Sequence, residues 1–137
     1  MIRRIVALAA LPALAACASQ AAKAPLCPQG MQPELSDTLF FGTARTGGAV
    51  SEVEWDRFVR DEIASRFPQG YTVQPAEGQW RNADGSTAHE RSHLLVVVHP
   101  EDEHSDLAMR HIAETYKTLF GQQAVLRTRT DTCASLP

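Results

Sequence analysis

Between residues 50 and 67 the apolar positions fall at helical spacing: Trp55, Phe58, Val59, Ile63 and Phe67, with one polar interruption at Glu62. The entry is well marked. Ser51 is a natural N-cap, and Glu54 three residues later completes a capping box. Val50 and Trp55 stand where a hydrophobic staple needs them. Phe67-Pro68-Gln69-Gly70 ends the helix. A second apolar stripe, Ala108, Ile112, Tyr116, Leu119 and Phe120, predicts a helix over 107–120 closed by Gly121.

The remaining apolar segments read as strands. Residues 38–45 are apolar and aromatic and run into the Gly47-Gly48 turn. A strand begins at Tyr71 and continues, bent at Pro75 and Gly78, through Trp80 and Arg81. Residues 82–85 form a turn. Residues 87–99 are a long strand, polar at first and then unbroken through Leu94-Leu-Val-Val-Val98. Such a run predicts a central strand covered on both faces in its second half. Residues 100–105 read as an acidic loop, and 124–130 as a last, alternating strand delivering Cys133 just past its end. The order β-α-β-β-α-β predicts an α+β, ferredoxin-like sandwich: a four-stranded antiparallel sheet with two helices on one face.

The first residues change the picture of where this fold resides. Arg3-Arg4, an apolar stretch from Ile5 to Ala13, and then Leu14-Ala15-Ala16-Cys17 have the layout of a secretory signal. The stretch is too short to span a bilayer, which needs about 20 apolar residues. Leu-Ala-Ala-Cys resembles the bacterial lipobox, so Cys17 is the expected lipidation site and the first residue after cleavage. The alternative is a plain signal peptide that contains a cysteine. Ala18, rather than Asp, after the lipidated residue points to the outer membrane rather than the inner. The expected organisation is a signal over 1–16, a lipidated Cys, tether and extension over 17–37, and the domain over 38–137. The expected location is the periplasm-facing side of the bacterial cell envelope.

Export also decides how Cys27 and Cys133 are read. In an oxidising compartment they form one intramolecular bridge; free thiols or a bridge between chains are the alternatives. In the expected topology the end of the last strand lies beside the start of the first, where these two cysteines sit.

Several of the same segments resemble a bacterial family known as domain of unknown function 3574. The likeness rests on Leu39-Phe-Phe-Gly42, on Val50 to Val73, on Gly78-Gln-Trp-Arg81, on Glu90 and Leu94 to Pro100, and on Tyr116-Lys117, Phe120 and Val125-Leu-Arg127. It covers 38–127. The resemblance implies a small exported protein, often lipidated, and transfers no activity or catalytic residues.

Charge and chemistry narrow the function further. The 137 residues carry 13 basic and 16 acidic side chains. Losing Arg3 and Arg4 with the leader would leave 11 basic residues, an acidic balance that argues against nucleic-acid binding. Five histidines invite a metal reading. His89 and His93 flank Arg91 on one strand face, which disfavours a cation, and His99 to His104 reads as a solvated acidic turn. Their spacing matches neither HExxH nor an EF-hand. No nucleophile elbow, P-loop or dinucleotide fingerprint is present, so no catalytic residue, metal or cofactor is assigned.

Two helices cover one side of a sheet, so the other side, with some of Leu95 and Val97, is left to meet water, the 25–37 extension or another protein. The expected function is therefore a non-enzymatic binding or self-associating module, anchored to a membrane by lipid, whose partner is a second copy or another envelope protein. The alternative is a small-molecule binder or small enzyme. It would use Arg45, Arg127 and Arg129 on the open face, with Gln79, Trp80 and Arg81 lining a cleft. An exposed apolar face favours association; a pocket where Arg127 and Trp80 converge favours the alternative.

Overall fold

The computed structural model describes residues 26–81 and 84–135; the leader, Cys17 and the tether up to Pro25 lie outside them. Strand β1 (Gln32–Gly42) alternates strictly, with Leu35, Asp37, Leu39 and Phe41 buried. It begins six residues earlier than the apolar pattern suggested, so the end of the expected extension belongs to the sheet. A small hairpin, β2 (Ala44–Arg45) and β3 (Gly48–Ala49), leads into α1 (Glu52–Phe58). Both halves of the capping box are formed. Glu54 N–H donates to the Ser51 hydroxyl, and the Ser51 N–H and hydroxyl donate to Glu54 at 2.9 and 2.8 Å.

A π-helical turn over Val59–Ile63 continues α1, with Ala64 N–H donating to Val59 O at 2.9 Å. This turn explains the polar interruption at Glu62. One extra residue in the turn rotates Ile63 onto the face shared by Trp55 and Phe58. Glu62 is thereby turned aside, to pair with Arg66 and His111.

Strands β4 (Thr72–Arg81) and β5 (Thr87–His99) form a long hairpin, followed by α2 (Glu103–Phe120) and β6 (Leu126–Ala134). Asp102 caps α2 by accepting from Ser105 N–H at 2.7 Å. The acidic segment expected as a loop is thus the cap and first turn of the helix, where acids face the positive end of its dipole. The sheet order is β4-β5-β1-β6 and every pair is antiparallel. With both helices packed on one face, this is the ferredoxin-like α+β sandwich.

The core lies between helices and sheet. Leu39 and Phe41 from β1, Leu95 and Val97 from β5, Trp55, Phe58 and Ile63 from the first helix, and Met109, Ile112 and Tyr116 from α2 share it. The Phe41 and Tyr116 rings are 4.6 Å apart. Burial pushes the Tyr116 phenol up, and its hydroxyl donates to Gly42 O at 3.0 Å. Leu95 and Val97 therefore face the helices, not the open side. Leu94, Val96 and Val98 occupy the open side, and no helix among the described residues covers them. Cys27 and Cys133 are joined by a disulfide, with Cα atoms 5.6 Å apart. β6 runs past Cys133, which lies opposite Pro33 of β1.

Candidate functional site

The sequence offered Arg127 and Arg129 as a cationic patch if they faced away from the helices. They face the helix side. Alternation along β6 sets them opposite Leu39 and Asp37 of β1. The Asp37 side chain is fully buried and gathers four contacts. Arg129 donates to both its oxygens at 3.0 Å, Arg127 donates to Oδ2, and His99 Nε2 lies 2.9 Å from Oδ2. Asp106 of α2 closes the network, 2.9 Å from Arg127 and 2.8 Å from Arg129. Burial alone would raise the Asp37 carboxyl; the bonds from Arg129, Arg127 and His99 outweigh it and hold the group well below the usual carboxylate range. Both arginines thus tie β6 to β1 and α2, and neither reaches Trp80, which sits on the opposite face and edge of the sheet.

His99 is a second correction. It is buried between Asp37 and Pro100 O, 2.7 Å from Nδ1, and is no part of a solvated turn. His93 is also buried, its ring stacked on Trp55 at 4.2 Å and 7°. Burial pulls its imidazole down, against the opposing charges of Glu52 and Asp56. It borders a shallow cleft of ≈ 460 Å³ with Glu52, Glu77 and Arg91. Among the described residues no three His, Cys, Asp or Glu groups are placed to share a metal ion.

Arg45 is likewise a structural clamp. Its guanidinium donates to both oxygens of Glu54 at 2.9 and 2.8 Å and lies 5.9 Å from the centre of the Phe120 ring. Glu54 is held down to about 2 by the Ser51 backbone N–H and hydroxyl and by Arg45.

What remains is the open face. Its apolar strip is Phe40, Leu94 and Val96, half-buried, with Val98 at 49% and Leu126 at 44% exposure. Towards the tip of the β4–β5 hairpin the face becomes a groove of ≈ 910 Å³ bordered by Phe40, Gly42, Trp80, Arg81, Glu90 and Leu126. Of the site residues expected from sequence, Arg45, Trp80 and Arg81 border it. Gln79 is exposed one position away, opposite His89. Sequence reasoning passed over Glu90 and Gly42 as site residues, although both stood in the segments that carried the family likeness.

Fold and face together define a class: a ferredoxin-like sandwich whose second sheet surface is not covered by a helix among the described residues. The chain belongs to the family described as Protein of unknown function (DUF3574), whose model matches residues 36–136. No curated relative matches it in sequence. Among solved structures, it is similar to a phage SAM lyase in complex with S-methyl-5′-thioadenosine. That likeness has 15% identity and a TM-score of 0.57, covering 75% of this chain and 90% of that one. CutA from Synechococcus elongatus PCC7942, complexed with a Bis-Tris molecule, is similar at 12% identity and a TM-score of 0.53, over 77% of this chain and 88% of that one. At these identities the likeness concerns the fold.

Proposed function

We propose that this protein is a lipid-anchored binding module of the bacterial envelope that associates with a second copy of itself through the open face of its sheet. The observation that carries the reading is the apolar strip of Leu94, Val96, Val98, Phe40 and Leu126, with no helix over it among the described residues. Residues 32–37 of the expected extension do not cover the strip, because they are part of β1 itself. The alternative enzyme reading loses two of its groups, since Arg127 and Arg129 are consumed on the other face. Cys17 supplies the anchor: each buried acyl CH₂ contributes about 0.8 kcal/mol, and several chains together hold firmly.

The two halves of the reading have separate tests. Cells fed labelled palmitate are expected to label the native chain and not Cys17→Ser; label on neither removes the anchor. For association, light scattering of the protein released from membranes is expected to give a dimer or larger assembly. Val98→Lys is expected to convert it to a monomer that still unfolds cooperatively, since Val98 is half exposed in the single chain. A monomer at every concentration would rule out the self-association.

A further inference from the structure

At the hairpin end of the open face, two of three neighbouring strands carry a glycine: Gly42 of β1 and Gly78 of β4. Gly78 of β4 and Glu90 of β5 face each other in register. The Glu90 carboxylate leans over Gly42 of β1: a Cβ on Gly42 would stand 2.7 Å from its Oε1. The Trp80 indole folds back over Gly78, with Nε1 3.4 Å from where a Cβ there would be. Two glycines therefore let a carboxylate and an indole come close to the backbone. Phe40, two residues before Gly42, adds a second ring to the same groove.

Glu90 is the unusual member. It is half-buried, yet among the described residues it has no ion pair. Among the described residues its one hydrogen bond is a long one, 3.3 Å from Ala44 N–H to Oε2, and Oε1 accepts none. The neighbouring charges are otherwise engaged: Arg45 is held by Glu54, and Asp84 accepts from the N–H and hydroxyl of Ser86. Arg81 is exposed at the hairpin tip and does not pair with Glu90. A partly desolvated carboxylate without a counter-ion, beside aromatic rings whose faces attract cations, lacks one component.

We infer that this groove is a binding site for an organic cation, an ammonium-type group on an apolar body, with Glu90 as counter-ion and Trp80 as the aromatic wall. The inference rests on the open face being the working surface, but it uses the hairpin end and not the strip around Val98. The two can fail separately.

The test uses the full-length protein carrying fluorinated tryptophan in a maltoside detergent, which has no cationic headgroup to compete. Fluorine NMR then reports Trp55 and Trp80 apart, assigned with Trp80→Phe. Benzyltrimethylammonium is expected to shift the Trp80 resonance saturably and leave Trp55 in place; phenylacetate and benzyl alcohol are expected to leave both resonances in place. Glu90→Gln should raise the midpoint about tenfold or more, as loss of the counter-ion requires. Gly42→Ala, whose Cβ displaces the carboxylate, should weaken binding too, and an unmoved Trp55 resonance shows that each variant is folded. No saturable shift, an equal response to phenylacetate or benzyl alcohol, or an unchanged midpoint in both variants would overturn the site. Val98→Lys should alter assembly and leave the cation midpoint alone, which separates this result from the fate of self-association.

Discussion

Asp37→Ala is expected to destabilise the domain by about 3–5 kcal/mol, the usual consequence of removing one partner from a buried ion pair. The carboxylate is the common acceptor for Arg127, Arg129 and His99, and it lies on the sheet's central strand β1, among Leu35, Leu39 and Leu95. Without it, two guanidinium groups face each other with only Asp106 between them. Small domains hold about 5–15 kcal/mol in all, so the variant should unfold at far lower urea concentration than the native chain. The acid limb gives a second readout. Asp37 is depressed in the native state, so its contribution is complete above the unfolded-state value, about pH 4, and is lost as pH falls towards the native value. The stability gap between native protein and Asp37→Asn should therefore be constant near neutrality and shrink below about pH 4. A gap that does not change with acid would mean that the carboxylate is not the charged centre of the network.

Breaking the bridge between Cys27 and Cys133 comes next in size. The two are 106 residues apart, so the bond closes nearly the whole domain. Loss of a native disulfide from a small secreted domain costs about 2–5 kcal/mol, partly by freeing the unfolded chain. Reductant should lower the melting temperature of the native protein by about 8 °C or more, given about 4 °C per kcal/mol for a domain of this size. The double variant Cys27→Ser with Cys133→Ser should melt at that lower temperature and ignore reductant. Equal melting with and without reductant in the native chain would show that the bond contributes nothing.

The parts of the fold legible in the sequence were those fixed by neighbours in the chain. Ser51, Glu54, Val50 and Trp55 lie within six residues, and their capping geometry is local. The π turn was not legible, because it answers to where Phe58 and Ile63 must meet the sheet, a demand made by distant strands. The run Leu94 to Val98 has no polar residue to mark parity, so nothing in it distinguishes Leu95 and Val97 from Leu94 and Val96. The early start of β1 was hidden by its polar residues, and with it Asp37. Once Leu35, Leu39 and Phe41 are read as one face, Asp37 must point inward and require cations, and Arg127 and Arg129 are the obvious donors. Sequence could place the arginines on one face of a strand but not decide which face. The groove was half legible: Trp80 and Arg81 were singled out, while Glu90 needed the register that sets it between Gly42 and Gly78.

The position of the sulfur link also determines how the domain responds to mechanical load. Any tension on the chain's N-terminal side enters the folded body at Cys27 and passes at once into β6 through Cys133. β1 cannot be peeled from β6 starting at Gln32, because the two strands are pinned together beside their first shared rung, Gln32 with Ala134. A pull between the two ends of the chain therefore runs through the disulfide and leaves residues 28–132, with β4, β5 and both helices, outside its path.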